Sequence, residues 1–368
     1  MPASTPTAQS ASLDYVEHLA EKPLRGERLS EAEGLLLLET APLPILAQAA
    51  DKFCHQLHPE DWRTYNIDRN INYTNICASK CHFCAFYRDP YNMEAYLVDE
   101  HTLDRKIEET LEQGGRQLLI QGGLHPLLRI EWYERFISYI RDKYPILHIH
   151  GLSPPEIVHI SRISHVSITE TLQRLRDAGL GSLPGGGAEI LVDSVRKEIS
   201  PAKANTQEWL EVARAWHEMG GSGTATMMFG HVETLANRIT HLERIRQLQD
   251  ETNGFTAFIP WVFQPTNTLL ASKVTKAGSS DYLSMLALSR LYLDNISNIQ
   301  VSWVTQGLEI AELGLSYGAN DFGSLMIEEN VVAAAGTSFT ATLEEIQEAI
   351  TNAGFLPKQR NVFYDLLS

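Results

Sequence analysis

Sulfur is scarce in this chain. It has four cysteines in 368 residues, too few for a disulfide framework, so the thiols are expected to stay reduced in the cytoplasm. Long apolar runs are missing. No stretch reaches the roughly 18 residues needed to cross a bilayer, and no membrane partner is expected. The opening "MPASTPTAQS" lacks a basic stretch followed by an apolar one, so no secretory signal is read there. Positive charge is in deficit: 30 Lys and Arg face 46 Asp and Glu, a net charge of −16. That balance argues against nucleic acid as a partner. Low-complexity tracts are absent beyond a Ser/Thr/Pro/Ala-rich start, which is expected to be a frayed tail.

What remains is a chain with 43% hydrophobic residues, enough for a large core. "SEAE" (30–33) reads as a capping box, followed by two short helices ending near His58. Short apolar strands then alternate with amphipathic helices. The strands are read at 67–73, 117–121, 146–151, 188–192, 224–229, 254–260 and 299–303, with one more in "YGANDFG" (317–323). Helices are read at 102–115, 130–144, 168–179, 206–220, 235–251 and 282–295. Spacings that are mostly 29 to 43 residues leave room for a crossover helix. The pattern predicts an α/β fold with a parallel sheet, closed as a (β/α)8 TIM-type barrel; an open doubly wound sheet is the rival. The reading divides the chain into an N-terminal tail with helices (1–58), a barrel (59–335) and a C-terminal helical extension (336–368). Within that extension, Thr342 to Glu345 forms another capping box.

Three of the four cysteines crowd into "NICASKCHFC" (75–84), as Cys77, Cys81 and Cys84. Thiolates are the usual ligands of iron–sulfur clusters, and three can hold three irons of a [4Fe–4S] cube, leaving the fourth open. Structural zinc would need Cys54 or His82 to complete its set. A cluster with four protein ligands, serving electron transfer only, is a further alternative. Cys54, beside Phe53 on a helix, reads as a buried thiol.

The spacing C-x3-C-x2-C, with Phe83 before the last cysteine, resembles the radical S-adenosylmethionine (SAM) enzymes. The resemblance implies a [4Fe–4S] cluster and SAM as cofactors, SAM bound at the open iron, and hydrogen abstraction by a 5′-deoxyadenosyl radical. It implies that Gly122 and Gly123 in "IQGGLHP" contact SAM, along with Phe83. Ser153 in "HGLSPPE", Glu189, Arg196 and Met228 are further candidates. Each has a plainer reading: a turn for the glycines, a helix cap for Ser153, an ion pair for Glu189, core for Met227 and Met228. "SLPGGGAEIL" is read as entering the fourth strand, and no Lys-Ser/Thr follows its glycines, which argues against a phosphate loop.

Longer stretches, "LHIHGLSPPEI", "TATMMFGHVET", "GFTAFIPWVFQPTNT", "SWVTQG" and "GANDFGSLMIEENVV", are similar to the menaquinone and deazaflavin-cofactor synthases. Within that group "GFTAFIPWVFQPTNT" and "SWVTQG" favour the cyclic dehypoxanthinyl futalosine synthases over the aminofutalosine synthases, with the FO synthases more distant. The implied substrate is dehypoxanthinyl futalosine, and the implied electron donor is a flavodoxin or ferredoxin. The implied reaction is an oxidative cyclisation started at ribose C4′. It needs a general base, for which His150 and His231 are chosen from a set that also holds His125, His148 and Glu189. Trp261, Gln264, Asn267, Trp303, Gln306 and Asn320 follow late strands and are assigned to the substrate side. A non-catalytic iron–sulfur or zinc protein is the alternative of a different class.

Overall fold

A computed structural model describes residues 12–337 and 339–367. The expected frayed tail lies outside them. Ser30 and Glu33 do close a capping box on the helix Glu31–Thr40. The helix Leu43–Leu57 follows, ending at His58 as expected. Gly34 is bare because the Tyr292 ring packs there: an added Cβ would lie 2.8 Å from it. These helices thus dock on the barrel through the helix Ser279–Tyr292.

The strands are β1 (Trp62–Asn66), β2 (Asp68–Ile71), β3 (Gln117–Ile120), β4 (His148–Gly151), β5 (Ser182–Leu183), β6 (Ser222–Phe229), β7 (Phe255–Val262), β8 (Asn298–Ile299), β9 (Asp321–Ser324) and β10 (Leu356–Gln359). β2 to β8 form one sheet in chain order, and β10–β1–β9 a second; all of these pairings are parallel. The two sheets complete a ring. β2 continues β1 after a single residue, and a parallel bridge from Gln300 to Asp321 joins the end of β8 to β9. Helices return the chain outside the ring, as parallel pairing requires.

The structure differs from the expectation in several places, among them β1, a strand at Trp62–Asn66 that was not expected. The fourth strand of the ring is Ser182–Leu183, and residues 188–192 form no strand. Ala188, Ile190 and Leu191 are fully buried all the same, because their loop packs into the main core. The strand expected at 299–303 is only Asn298–Ile299; a short helix starts at Trp303. The C-terminal extension holds its capped helix, Leu343–Asn352, but also β10, which adds to β1.

Candidate active site in the barrel

The barrel encloses a cavity of about 390 Å³. The cysteine loop leaves the C-terminal end of β2 and forms one end of it. Cys77, Cys81, Phe83 and Cys84 all line the cavity. The loop is tied down by backbone bonds: Ala78 N–H donates to Leu124 O (2.9 Å), His82 N–H to Ile199 O (2.8 Å), and Arg88 N–H to Asn75 O (2.7 Å). Burial pushes the Cys81 thiol up to about 11, against the pull of Lys203 and the Ser79 hydroxyl, which lies 3.2 Å from its sulfur. Burial also raises Cys84. Among the described residues, no three His, Cys, Asp or Glu side chains converge on a point for a single ion. A cube does not ask for that, since each thiolate takes its own iron. Cys54 is fully buried elsewhere, its thiol 3.7 Å from Ala319 O.

The Gly122–Gly123 pair follows β3 and presses on the cysteine loop. Gly123 N–H donates to Thr74 O (2.9 Å). A Cβ on Gly123 would lie 2.2 Å from Ile76 O, and one on Gly122 would lie 2.5 Å from the Tyr73 ring. Glu156 organises this wall. Its carboxylate accepts from Tyr73 OH (2.8 Å), Gly122 N–H (3.0 Å), Ser153 N–H (2.8 Å) and Ser153 OH (2.6 Å). Burial raises its pKa, and the four donors pull the other way. Ser153 lines the cavity, but it caps the helix Pro154–Ser164.

Gly185, Gly186 and Gly187 follow the fourth strand rather than precede it, and so reach the cavity. Gly185 hugs β6: its N–H donates to Thr224 Oγ1 (3.0 Å), and its carbonyl accepts from Thr226 Oγ1 (2.7 Å). Glu189, in the left-handed region at φ +44°, lines the cavity and pairs with Lys203 Nζ at 2.8 Å. Lys203 is a cation that the sequence reading missed; it sits in a loop without a motif. Its ammonium lies 5.3 Å from the Phe83 ring centroid. Burial would lower its pKa, but Glu189 and Cys81 raise it above the ordinary value.

Several expected ligand residues face elsewhere. Arg196 is buried, and its guanidinium donates to the carbonyls of Gly187, Ala188 and Ala204. Met228 is fully buried beneath the Glu189 loop, its N–H donating to Glu189 O (3.0 Å). His231 lies outside the cavity lining, with Nε2 3.1 Å from Met228 O and Nδ1 3.0 Å from Glu233. Burial pushes the Glu233 carboxyl up, yet His231 and Arg238 hold it at about 2. Gln264 donates to Val262 O, Asn267 to Ala334 O and Gln306 to Thr305 O. Asn320 joins Arg290, Asn298 and the Ile299 N–H. None of these four lines the cavity.

Trp261, Trp303 and His150 do line it. Trp303 is fixed by its indole N–H, which donates to Ser324 O (2.8 Å). His150 Nδ1 lies 2.6 Å from Ser182 Oγ, and that hydroxyl lies 2.7 Å from His148 Nε2. Burial lowers His150 to about 3 and His148 to about 4, so both rings are neutral at pH 7. The far end of the cavity, also missed from sequence, includes Asp68, Gln117, Glu329, Arg360 and Tyr364. Glu329 accepts from Asn70 and from the N–H groups of Val331 and Val332.

Residues 71–245 match the family described as the radical SAM superfamily, and residues 252–368 match the CofH/MqnC C-terminal region. The chain is 44% identical to a cyclic dehypoxanthine futalosine synthase of Halalkalibacterium halodurans, over 96% of this chain and 95% of that one. It is 42% identical to a protein of the same name from Streptomyces coelicolor, over 96% and 89%. It is also 39% identical to 5-amino-6-(D-ribitylamino)uracil–L-tyrosine 4-hydroxyphenyl transferase 1 of Methanosarcina mazei, over 95% and 93%. Among solved structures, the FeFe-hydrogenase maturase HydG from Carboxydothermus hydrogenoformans shares the fold, with TM-score 0.72 and 17% identity over 95% of this chain and 81% of that one. Methylornithine synthase (PylB) does so with TM-score 0.70 and 18% identity, over 92% and 97%.

Proposed function

The chain belongs to the radical SAM superfamily, in the group that carries the CofH/MqnC C-terminal region, and on that premise we propose that it cyclises dehypoxanthinyl futalosine on the route to menaquinone. The observation that carries the reading is a cavity with three cysteines and a bare Gly-Gly at one end and polar groups at the other, in a chain 44% identical to a cyclic dehypoxanthine futalosine synthase.

The residues fit a [4Fe–4S] cluster with SAM. Cys77, Cys81 and Cys84 would hold three irons, and among the described residues no fourth cysteine lines the cavity. When bound, this pair supplies a 5′-deoxyadenosyl radical that takes hydrogen from ribose C4′. Gly122 and Gly123 keep that wall free of side chains, so backbone groups can meet a ligand closely. Lys203 and Glu189 present a balanced ion pair beside Cys81. Trp261 and Trp303 cover apolar faces and exclude water.

Rearomatisation after cyclisation must release one ring proton and one electron, the electron passing to a redox partner of the flavodoxin or ferredoxin class. His150 takes the proton at Nε2, a nitrogen with no protein partner among the described residues. Its Nδ1–H then donates to Ser182 Oγ, which donates to His148 Nε2. A proton that enters His150 at Nε2 leaves it at Nδ1 and reaches His148, which is only half-buried and releases it to solvent, so His150 does not stay charged.

The test is anaerobic turnover of the reconstituted protein with SAM, reductant and dehypoxanthinyl futalosine. The expected product is lighter by two hydrogens in mass spectrometry, with 5′-deoxyadenosine released. The resemblance to the Methanosarcina mazei transferase sets the second arm: 5-amino-6-(D-ribitylamino)uracil with L-tyrosine. A product in that arm alone replaces the proposal.

A further inference from the structure

At the end of the cavity remote from the cysteines, the wall is built by the first residues of β2 and β3 and by the C-terminal segment. Asp68 and Gln117 are register partners there, and Gln117 Nε2 donates to Asp68 (2.9 Å). The segment from Gln359 to Leu367 folds back on itself. Leu367 N–H donates to Gln359 O (2.8 Å), and Arg360 and Leu366 form an antiparallel bridge. The turn holds Tyr364 at φ +68°, a backbone conformation that bulky residues rarely adopt. The Tyr364 ring lies over the Arg360 guanidinium, 4.0 Å from centroid to carbon. Arg360 in turn makes two bonds to Asp321, at 2.5 and 2.7 Å.

Tyr364 and Gln117 both line the cavity. Yet the Tyr364 hydroxyl and Gln117 Oε1 are buried without a hydrogen-bond partner among the described residues. Buried polar atoms are nearly always paired. Two orphans on the wall of one cavity ask for a partner from outside the chain. Charge narrows its chemistry. Asp321 already offsets Arg360, and the Asp68 carboxyl adjoins Gln117, so an anion is disfavoured. An amide oxygen only accepts, whereas a phenol both donates and accepts. A neutral hydroxyl group satisfies both.

We propose that Tyr364 and Gln117 form the deep subsite of the cavity and bind hydroxyl groups of the sugar of the substrate. The proposal rests on the functional reading above. It makes the C-terminal hairpin part of the substrate site, with the aromatic acid directed away from it.

The test is calorimetric titration of the reconstituted enzyme without SAM, so that no turnover occurs. Wild type and Tyr364→Phe are titrated with dehypoxanthinyl futalosine and with 3-acetylbenzoate, which has the aromatic acid but no sugar. The variant is expected to bind dehypoxanthinyl futalosine about ten-fold more weakly, to bind 3-acetylbenzoate as wild type does, and to melt at the same or a higher temperature. A variant that binds the sugar substrate normally, or that loses both ligands equally, overturns the proposal. So does a variant that melts several degrees lower, because the hydroxyl then had an internal partner. Wild type that binds no dehypoxanthinyl futalosine overturns the functional reading, and the sugar assignment with it.

Discussion

Gly123→Ala is the smallest change that reaches the cysteine loop. The added carbon would sit 2.2 Å from Ile76 O, 2.7 Å from Ile76 C and 3.0 Å from Cys77 Cβ. Real Cβ contacts do not fall below 3.0 Å, so the two backbones must part by roughly 0.8 Å in a close-packed wall. Neither atom set belongs to a flexible side chain, and Gly123 N–H is also bonded to Thr74 O. Overpacking of this kind costs about 1–3 kcal/mol. The functional loss should be larger, because a misplacement near 1 Å can lower a rate by about 100-fold. The assay compares iron per chain, melting temperature and 5′-deoxyadenosine release after anaerobic reconstitution. Gly278→Ala serves as control, since its added carbon meets nothing within 4 Å. Gly123→Ala with full iron content and a release rate within two-fold of wild type would refute the argument that this glycine sets the position of Cys77.

Cys54→Ala should retain about four irons per chain and lose only packing stability, whereas Cys81→Ala should lose the cluster; iron analysis decides. Ser182→Ala breaks the bridge between His148 and His150, so the ratio of 5′-deoxyadenosine to cyclised product should rise well above one. An unchanged ratio removes the proton path. Glu233 titrates at about 2 in the fold against an ordinary 4.5. Its folded pKa is depressed, so its contribution is present above about pH 5 and is lost as pH falls toward 2, in total roughly 3 kcal/mol. Glu233→Gln should therefore flatten the acid limb of stability, read as urea midpoints from pH 6 to pH 3, and converge with wild type at the acid end.

The parts legible in sequence are those whose signal is local. Cys77, Cys81 and Cys84 share one loop, and Gly122–Gly123 directly follows a strand. Order along the chain therefore suffices to bring them together. The fourth strand was hidden because Ser182–Leu183 is too short to alternate. The apolar run at 188–192 is buried by a loop that lies across β6, and burial alone does not separate a strand from such a loop. Late polar residues failed for a related reason. Asn320 precedes β9, so it sits at the strand's start, bonded to Arg290 and Asn298. The deep end joins Asp68, Gln117, Arg360 and Tyr364 from three distant segments, and only ring closure brings them together.

Arg196 and Lys203 illustrate how residue type misleads when position is unknown. An arginine suits a carboxylate through its paired donors, which made Arg196 one of the candidates for SAM. The same donors can instead hold backbone. Here they are bonded to the carbonyls of Gly187, Ala188 and Ala204, on both sides of the segment that carries Glu189 and Lys203. A guanidinium is suited to this, because its charge persists when buried and its donors are fixed in one plane. Arg196 thereby fixes the loop after β5, while the cavity-facing cation is a lysine held by Glu189 beside Cys81. Arg196→Lys would keep the charge but lose the fork, and the first consequence should be displacement of Lys203 rather than loss of a ligand contact.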